Sequence, residues 1–368
     1  MRTFFRHILN YDWLLVGTVL LLVAVGLISL FSLSTASPVP FFSRQIVWVG
    51  IGLVALAGAS IIDFRMFRTQ SVIVLLFYGA CVILLGGVLL LSLKTRGVAS
   101  WFKVGGIFLQ PVEPMKLALI ILLAKYFSKR HIEIYRIQHL IVSGIYLAIP
   151  ALLVLVQPDL GSAIVLIAIW VIIIVFSGMK LRHFALLIAI TCLLSFAGWH
   201  FVLHPYQKTR ITSFLDPAHD PKGAGYQMIQ SMIAVGSGKI WGKGLGYGSQ
   251  SHLNFLPEAE TDFIFAAFAE EWGFVGITVL MALFLVIFWR IVRIGQKSAD
   301  NFSRLYAIGF CALLFVESFI HIGMNMGLLP ITGITLPFVS YGGSSLVTAF
   351  VGVGILQNIK INSRRSLE

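Results

Sequence analysis

Apolar residues run through this chain in stretches of about 20, close to the length a helix needs to cross a hydrocarbon layer. Short polar segments separate them, and the stretches follow one another almost from end to end. They predict spans over 13–33, 45–62, 71–92, 113–128, 138–156, 162–178, 183–203, 262–289, 305–323 and 336–358. The expected fold is all-α, a polytopic membrane protein of about ten transmembrane helices, because only helices satisfy their own backbone inside lipid. One domain, 1–368, holds all of them. The fourth run starts beside Pro111 and Pro114, so an irregular start is expected there.

A single polar interval is long. Residues 204–261 form a loop between spans seven and eight, too long to be an unstructured connection. Asp216-Pro217 and Asp220-Pro221 mark turns in it. The segment 226–235 then sets Met228, Ile229, Met232 and Ile233 on one face, as a short helix lying on a membrane surface would. Glycines at 236, 238, 242, 244, 246 and 248 follow. They form no P-loop, since no GxxxxGK[ST] is present.

Composition supports lipid as the solvent. Of 368 residues 58% are hydrophobic and 11% charged, against roughly 25% charged in a soluble domain. The net charge of +12 is spread over short loops, not gathered on one face, which argues against nucleic acid as a partner. Cys81, Cys192 and Cys311 lie apart inside apolar runs and form no disulfide or zinc pattern. Lysine and arginine gather in alternate loops, among them Arg65, Arg68, Lys125, Lys129, Arg290, Arg293 and the tail from Lys360 to Arg365. The positive-inside rule then puts both termini in the cytoplasm and the long loop outside it. Arg2 and Arg6 precede the first run without a cleavage site, so an uncleaved first span is expected.

Ionisable residues at membrane depth are costly and point to function. The sequence offers Glu113, Lys116, Asp159, Asp262, Glu270, Glu271 and Glu317. Glu113 and Lys116, three apart, share a helix face and can pair, which equally suits a structural ion pair. Asp159 in Gln157-Pro158-Asp159-Leu160-Gly161 also reads as a turn or capping residue. Glu270 and Glu271 leave a proton relay, a substrate contact and interhelical bonding open. Asp262 opens the eighth span, where Thr261 or Asp262 would suit a cap. Its company adds weight: Glu258 and Glu260 on one side, with Lys208, Arg210, Lys239 and Lys243 in the same loop. Carboxylates and cations meeting at a membrane surface suit a phosphorylated lipid substrate.

Six segments carry a resemblance: Trp101–Gly106, Gln110–Lys116, Gln157–Gly161, Asp216-Pro217 through Gly225-Tyr226-Gln227, Phe255–Phe265 and Pro337–Ser344. In that order they resemble the SEDS (shape, elongation, division and sporulation) family over nearly the whole chain. Gly248–Ser251 leading into Asn254–Glu258 looks most like its rod-shape (RodA-type) branch. The resemblance implies a peptidoglycan glycosyltransferase of the bacterial inner membrane, its site facing the periplasm. It would polymerise lipid II into β-1,4 glycan strands for cell elongation and rod shape, displacing undecaprenyl pyrophosphate with inversion. It further implies a class B penicillin-binding protein as partner, within an elongation complex of membrane proteins. Asp262 matches the family's catalytic carboxylate. Arg210, Lys116, Glu113 and Asp159 match positions the family keeps polar, and with Trp101 and Glu258 they are the expected substrate-binding residues. Two departures stand out. Val112 replaces the usual Ser, and Glu260 replaces a common His, which sets a second negative charge beside Asp262 and offers a place for a divalent cation, magnesium or manganese. No cofactor is otherwise required. A lipid II flippase and an ion-coupled transporter are the alternatives that the membrane charges would also serve.

Overall fold

The computed structural model describes residues 9–34, 39–91, 101–104, 107–129, 137–180, 182–185, 205–217, 220 and 223–365, with single positions between 189 and 200. Most of the seventh expected span, and Cys192 within it, lies outside them.

The apolar runs fold as expected into long helices: α1 (Trp13–Ser34), α2 (Phe41–Ile61), α3 (Arg65–Thr69, one short turn) and α4 (Ser71–Leu91). A two-stranded antiparallel hairpin follows, β1 (Phe102–Val104) and β2 (Ile107–Leu109), with Phe102 opposite Leu109 and Val104 opposite Ile107. Next come α5 (Val112–Ser128), α6 (Ile137–Val156) and α7 (Leu160–Phe176). The expected irregular start of the fourth span is absent. Pro111 is the N-cap of α5 and Pro114 sits in its first turn, where a missing N–H costs nothing.

The long loop is structured. It holds α8 (Pro205–Leu215), α9 (Ala224–Ser237) and α10 (Ser249–His252). The helix read at 226–235 is there, and its Met/Ile face is shared between the protein and the outside. Gly225, Met228, Ser231 and Ala234 turn inward, while Met232 and Ile233 are exposed. Gly225, Ser231 and Ala234 on that side, and Gly238 just past the helix, where a Cβ would lie 2.0 Å from the Ala269 carbonyl oxygen, let α9 approach its neighbour closely.

That neighbour is α11 (Ile264–Gln296), followed by α12 (Asn301–Asn325) and α13 (Gly343–Arg365). Residues 336–342, read as the start of the last span, belong to the loop before α13. Among the described residues seven helices are long and apolar enough to cross a membrane, and α7 is a shorter apolar one. At 33 residues α11 is about 50 Å long at 1.5 Å per residue, too long for one straight span. It breaks at Gly273, where φ is +62° and ψ −164°. A Cβ there would lie 2.2 Å from the Gly242 nitrogen, so only glycine serves. Residues 264–271 therefore form a short, wholly buried helix ahead of the span proper.

The interior belongs to α5, α12 and α13. Every residue of α5 from Met115 to Phe127 is buried. Outer helices turn apolar side chains outward, as Val54, Leu76, Ile83, Leu152 and Leu285 do, the pattern of a lipid-facing wall. Where α2 crosses α13, Gly52 lies under the Phe350 ring and Gly354 against the Leu56 carbonyl. Backbone contact of this kind is how membrane helices gain packing without a hydrophobic driving force.

Polar residues separate into two ends. At one, Arg290 and Lys360 converge on the buried Asp12, with Arg290 Nε 3.1 Å and Lys360 Nζ 3.5 Å away. Arg68 pairs with Asp300 at 3.4 Å, and Lys125 Nζ donates to the Phe67 carbonyl at 2.8 Å. The other end carries the hairpin, the start of α7, the short helix of α11 and the loop before α13.

Candidate active site

The site is hung from α12. Glu317, His321 and Asn325 recur every four residues, so they stack along one face. All three are buried. Each holds a different part of the protein.

Glu317 meets Lys116 of α5 at 2.7 Å, and Lys116 also meets Glu113 at 2.8 Å. The pair expected from spacing is thus a triad with two carboxylates and one ammonium, all buried. One cation between two anions at full burial fixes α5 against α12, since removing it would strand both charges. His321 Nδ1 lies 2.7 Å from the Ile334 carbonyl. A carbonyl only accepts, so Nδ1 carries the proton. Asn325 Nδ2 donates to the Asp262 carbonyl at 2.9 Å and to the His321 carbonyl at 2.8 Å, while its Oδ1 accepts the Ala266 N–H at 3.1 Å.

Asp262 therefore sits at the foot of the short helix, pinned by its backbone. Its expected role as a helix cap is not what the structure shows. The N-cap of α11 is Phe263, and no side chain caps it. The turn is organised instead by Glu258, at φ +55°. Its carbonyl accepts from the N–H of Thr261, Asp262 and Phe263 at 3.1–3.2 Å. Thr261 Oγ1 donates to Glu258 Oε2 at 3.5 Å. With three amides fixed, the Asp262 carboxylate is not drawn into capping and stays half-buried at the edge of the bundle.

The loop 328–342 ties the surrounding pieces to it. Ser340 Oγ donates to the Thr261 carbonyl at 2.8 Å, and the Tyr341 N–H to the Glu260 carbonyl at 2.9 Å. Gly333, at φ +77°, passes so near that a Cβ there would lie 3.6 Å from Asp262 Oδ2. Two residues earlier, Arg210 Nη1 of α8 donates to the Ile331 carbonyl at 3.4 Å. The turn at Asp159 leans on the same segment, for a Cβ at Gly161 would lie 2.9 Å from the Thr332 carbonyl. Carboxylate, guanidinium and turn thus surround residues 331–333. Asp159 itself caps α7, accepting from Ser162 N–H at 3.0 Å and Ser162 Oγ at 2.7 Å. Trp101 lies on the hairpin, edge-on to Phe108 at 6.5 Å. The hairpin docks onto α13 through the Gln110 N–H and Ser344 Oγ, 3.1 Å apart.

Glu270 and Glu271 prove to be loop anchors. Glu270 accepts from Lys243 Nζ at 2.7 Å, from the Gln250 and Ser251 N–H at 3.0 and 3.2 Å and from Ser251 Oγ at 3.2 Å. Glu271 takes Ser32 Oγ, His252 Nε2 at 3.0 Å and the Gly246 N–H at 3.1 Å. The glycine-rich stretch is thereby laced onto the start of α11. This is the interhelical bonding among the three roles the sequence left open. Among the described residues, no group of three or more His, Cys, Asp or Glu side chains is placed to hold a metal ion. Glu258, Glu260 and Asp262 are not such a group.

His321 and Asn325 were not singled out from the sequence. Their four-residue spacing with Glu317 on an apolar helix is the signal that finds them.

A bundle of lipid-facing helices with a half-buried carboxylate and guanidinium at one end defines a polytopic membrane protein with a polar site at one membrane face. The family of cell cycle proteins that takes in FtsW, RodA and SpoVE matches residues 12–365, and the chain belongs to it. Stage V sporulation protein E of Bacillus subtilis (strain 168) is 39% identical over 96% of this chain and 98% of its own. Peptidoglycan glycosyltransferase MrdB of Escherichia coli (strain K12) is 36% identical over 89% and 87%. Among solved structures, a chain from a study of how a peptidoglycan synthase complex coordinates polymerization and crosslinking superposes with TM-score 0.80, at 33% identity over 96% and 98% of the two chains. The rod shape determining protein RodA of Thermus thermophilus gives 0.71, at 28% identity over 96% and 97%.

Proposed function

We propose that this chain is a peptidoglycan glycosyltransferase that polymerises lipid II, with Asp262 as general base. The observation that carries the reading is the meeting of Asp262 and Arg210 on residues 331–333, at the end of the bundle away from the basic cluster. The positive-inside rule puts that basic end, with both termini, in the cytoplasm and the site at the periplasmic face of the inner membrane.

The donor is an α-linked sugar pyrophosphate and the product a β-1,4 linkage, so one inverting displacement suffices. Asp262 accepts the proton of the acceptor's 4-hydroxyl as that oxygen attacks the donor's anomeric carbon. The bond to undecaprenyl pyrophosphate breaks in the same step. Arg210, whose planar fork of donors fits a phosphate, offsets the charge that develops on the leaving group. Glu258 shapes the turn that aims the base. Asp159 sets the wall opposite it, and Trp101 offers a ring to a sugar at the hairpin. Lys116 and Glu113 act through α12, which carries Asn325 and so holds the base in place.

Similarity to a chain from a peptidoglycan synthase complex supports a class B penicillin-binding protein as partner. Similarity to MrdB and RodA supports work in an elongation complex that maintains rod shape. The test is synthesis of glycan polymer from purified lipid II in detergent, by the chain alone and with its cognate transpeptidase. Asp262→Asn should lower the rate by about 10²–10⁴-fold, the usual contribution of a general base, while the protein remains monodisperse. Polymer made at the native rate by that variant removes the assignment. A flippase or an ion-coupled transporter would make none in detergent.

A further inference from the structure

At the basic end, α4, α5 and α6 leave a cavity of about 460 Å³ between them. That is within the usual range of ligand pockets, ~300–1,000 Å³. Its polar wall is Ser71, Lys125, Lys129, Gln138 and His139, and among the described residues no Asp or Glu lines it. Its other wall is apolar, formed by Val74, Leu75, Leu122, Val142 and Tyr146. Leu75 on α4 and Val142 on α6 are exposed, as are Leu76, Ile141 and Ile145 beside them. The cavity therefore opens sideways, onto the lipid-facing surface.

Lys125 is the unusual group. It is 5% exposed, and its ammonium donates to the Phe67 carbonyl at 2.8 Å. Among the described residues no carboxylate pairs with it. A buried cation without a counter-ion is expensive, and among the described residues the other buried charges are paired: Asp12 with Arg290, Lys116 with two glutamates, Glu270 with Lys243 and Glu271 with His252. The free space beside Lys125, with Lys129 at its rim, is where an anion would complete the site. The apolar wall beside it, Leu75 and Val142 with Leu76, Ile141 and Ile145 exposed next to them, is where an acyl chain would lie.

We infer that this cavity binds an anionic phospholipid, its phosphodiester on Lys125 and Lys129 and an acyl chain in the groove between α4 and α6. Basic recesses between helices at the cytoplasmic face are suited to such headgroups. The site lies at the opposite end from Asp262 and owes nothing to the glycosyltransferase reading.

Native mass spectrometry of the full chain in an uncharged detergent, titrated with phosphatidylglycerol, phosphatidylcholine or inorganic phosphate, tests it. One phosphatidylglycerol should stay bound through activation that strips phosphatidylcholine, and millimolar phosphate should not displace it. Lys125→Met should weaken retention about tenfold, the loss of one charge-assisted contact. In case that variant fails to fold, Lys129→Gln at the exposed rim and Leu75→Trp, which fills the groove from the lipid side, should each weaken it too. Equal retention of the two lipids, or of phosphatidylglycerol by native protein and both rim variants, overturns the site. Displacement by inorganic phosphate would mean that a free anion, not a lipid, is the ligand.

Discussion

Asn325→Ala isolates how the base is held. The native amide makes three hydrogen bonds, two of which secure the Asp262 carbonyl and the Ala266 N–H on either side of the helix start. Asn325 is fully buried, so water does not replace them. Each backbone group left unsatisfied costs ~1–3 kcal/mol, and with two of them the variant should lose about 2–5 kcal/mol of stability. Activity should fall further than stability accounts for. The lost bonds fixed the backbone under a carboxylate that must stay within hydrogen-bond reach of a hydroxyl, and misplacement by about 1 Å can cost 10²-fold. Two readouts separate the effects: the apparent melting temperature in detergent, and the rate of polymer synthesis well below that temperature. Asn325→Asp is the informative partner. It keeps the acceptor for the Ala266 N–H but sets a second oxygen against the Asp262 and His321 carbonyls in a fully buried place, so it should be no more stable than Asn325→Ala and recover none of the rate. Native polymerisation by Asn325→Ala, at a temperature where the protein is folded, would refute the claim that α12 positions the base.

Three further outcomes follow from the geometry. Lys116→Met strands Glu113 and Glu317 together in the core and should destabilise by ~3–5 kcal/mol; adding Glu113→Gln and Glu317→Gln should restore much of the loss, read as a rise in melting temperature over the single variant. Gly273→Ala forces a Cβ to within 2.2 Å of the Gly242 nitrogen at a positive φ, and should abolish accumulation of folded protein in the membrane, measured by size-exclusion of the detergent extract. Asp12 gives a pH dependence. Burial alone would raise its pKa, but hydrogen bonds from Arg290 and the Leu15 N–H, with the charges of Lys360 and Arg290, hold it below the ordinary 3.8. Its contribution is thus complete above that value and lost as pH falls through the lower folded one. Asp12→Asn should lower the melting temperature at neutral pH, with the gap to native protein closing in that acid range.

How much of this could be read from residues alone depends on the scale of the pattern. The long spans were legible because a run of apolar residues at bilayer length has few other uses, and α1, α4 and α6 begin and end within a residue or two of expectation. Charge company found Asp262 and Arg210, since cations and carboxylates crowded into one loop are visible without coordinates. The Glu113–Lys116 pair followed from helical spacing, but its third member did not. Glu317 is 201 residues from Lys116, and nothing local announces the contact. The break in α11 was hidden for a similar reason. Trp272-Gly273-Phe274 looks like an ordinary glycine in an apolar run, and its positive φ is imposed by a distant backbone, that of residues 240–242. The hairpin has a signal of its own at a shorter period: Phe102-Lys103-Val104-Gly105-Gly106-Ile107-Phe108-Leu109 carries the two-residue glycine centre of a β-hairpin. The helix at 224–237 is legible by its amphipathicity, whereas the inward turn of Gly225, Ser231 and Ala234 is not, because small residues announce a close approach only once the neighbour is known.

The glycine joint in α11 decouples two jobs that one straight helix would have to share. Beyond 273 one side of the helix, with Val275, Val279 and Leu285, is exposed and meets the bilayer as its thickness and tilt vary, while Gly276, Leu280 and Phe284 pack inward. Residues 264–271 are walled in by protein and tied to α12, α9 and the loop before α13. A membrane that thins or bends can therefore lean on the outer segment without carrying the carboxylate along. The proposed base is thus held by the buried segment and not by the part of the helix that meets lipid.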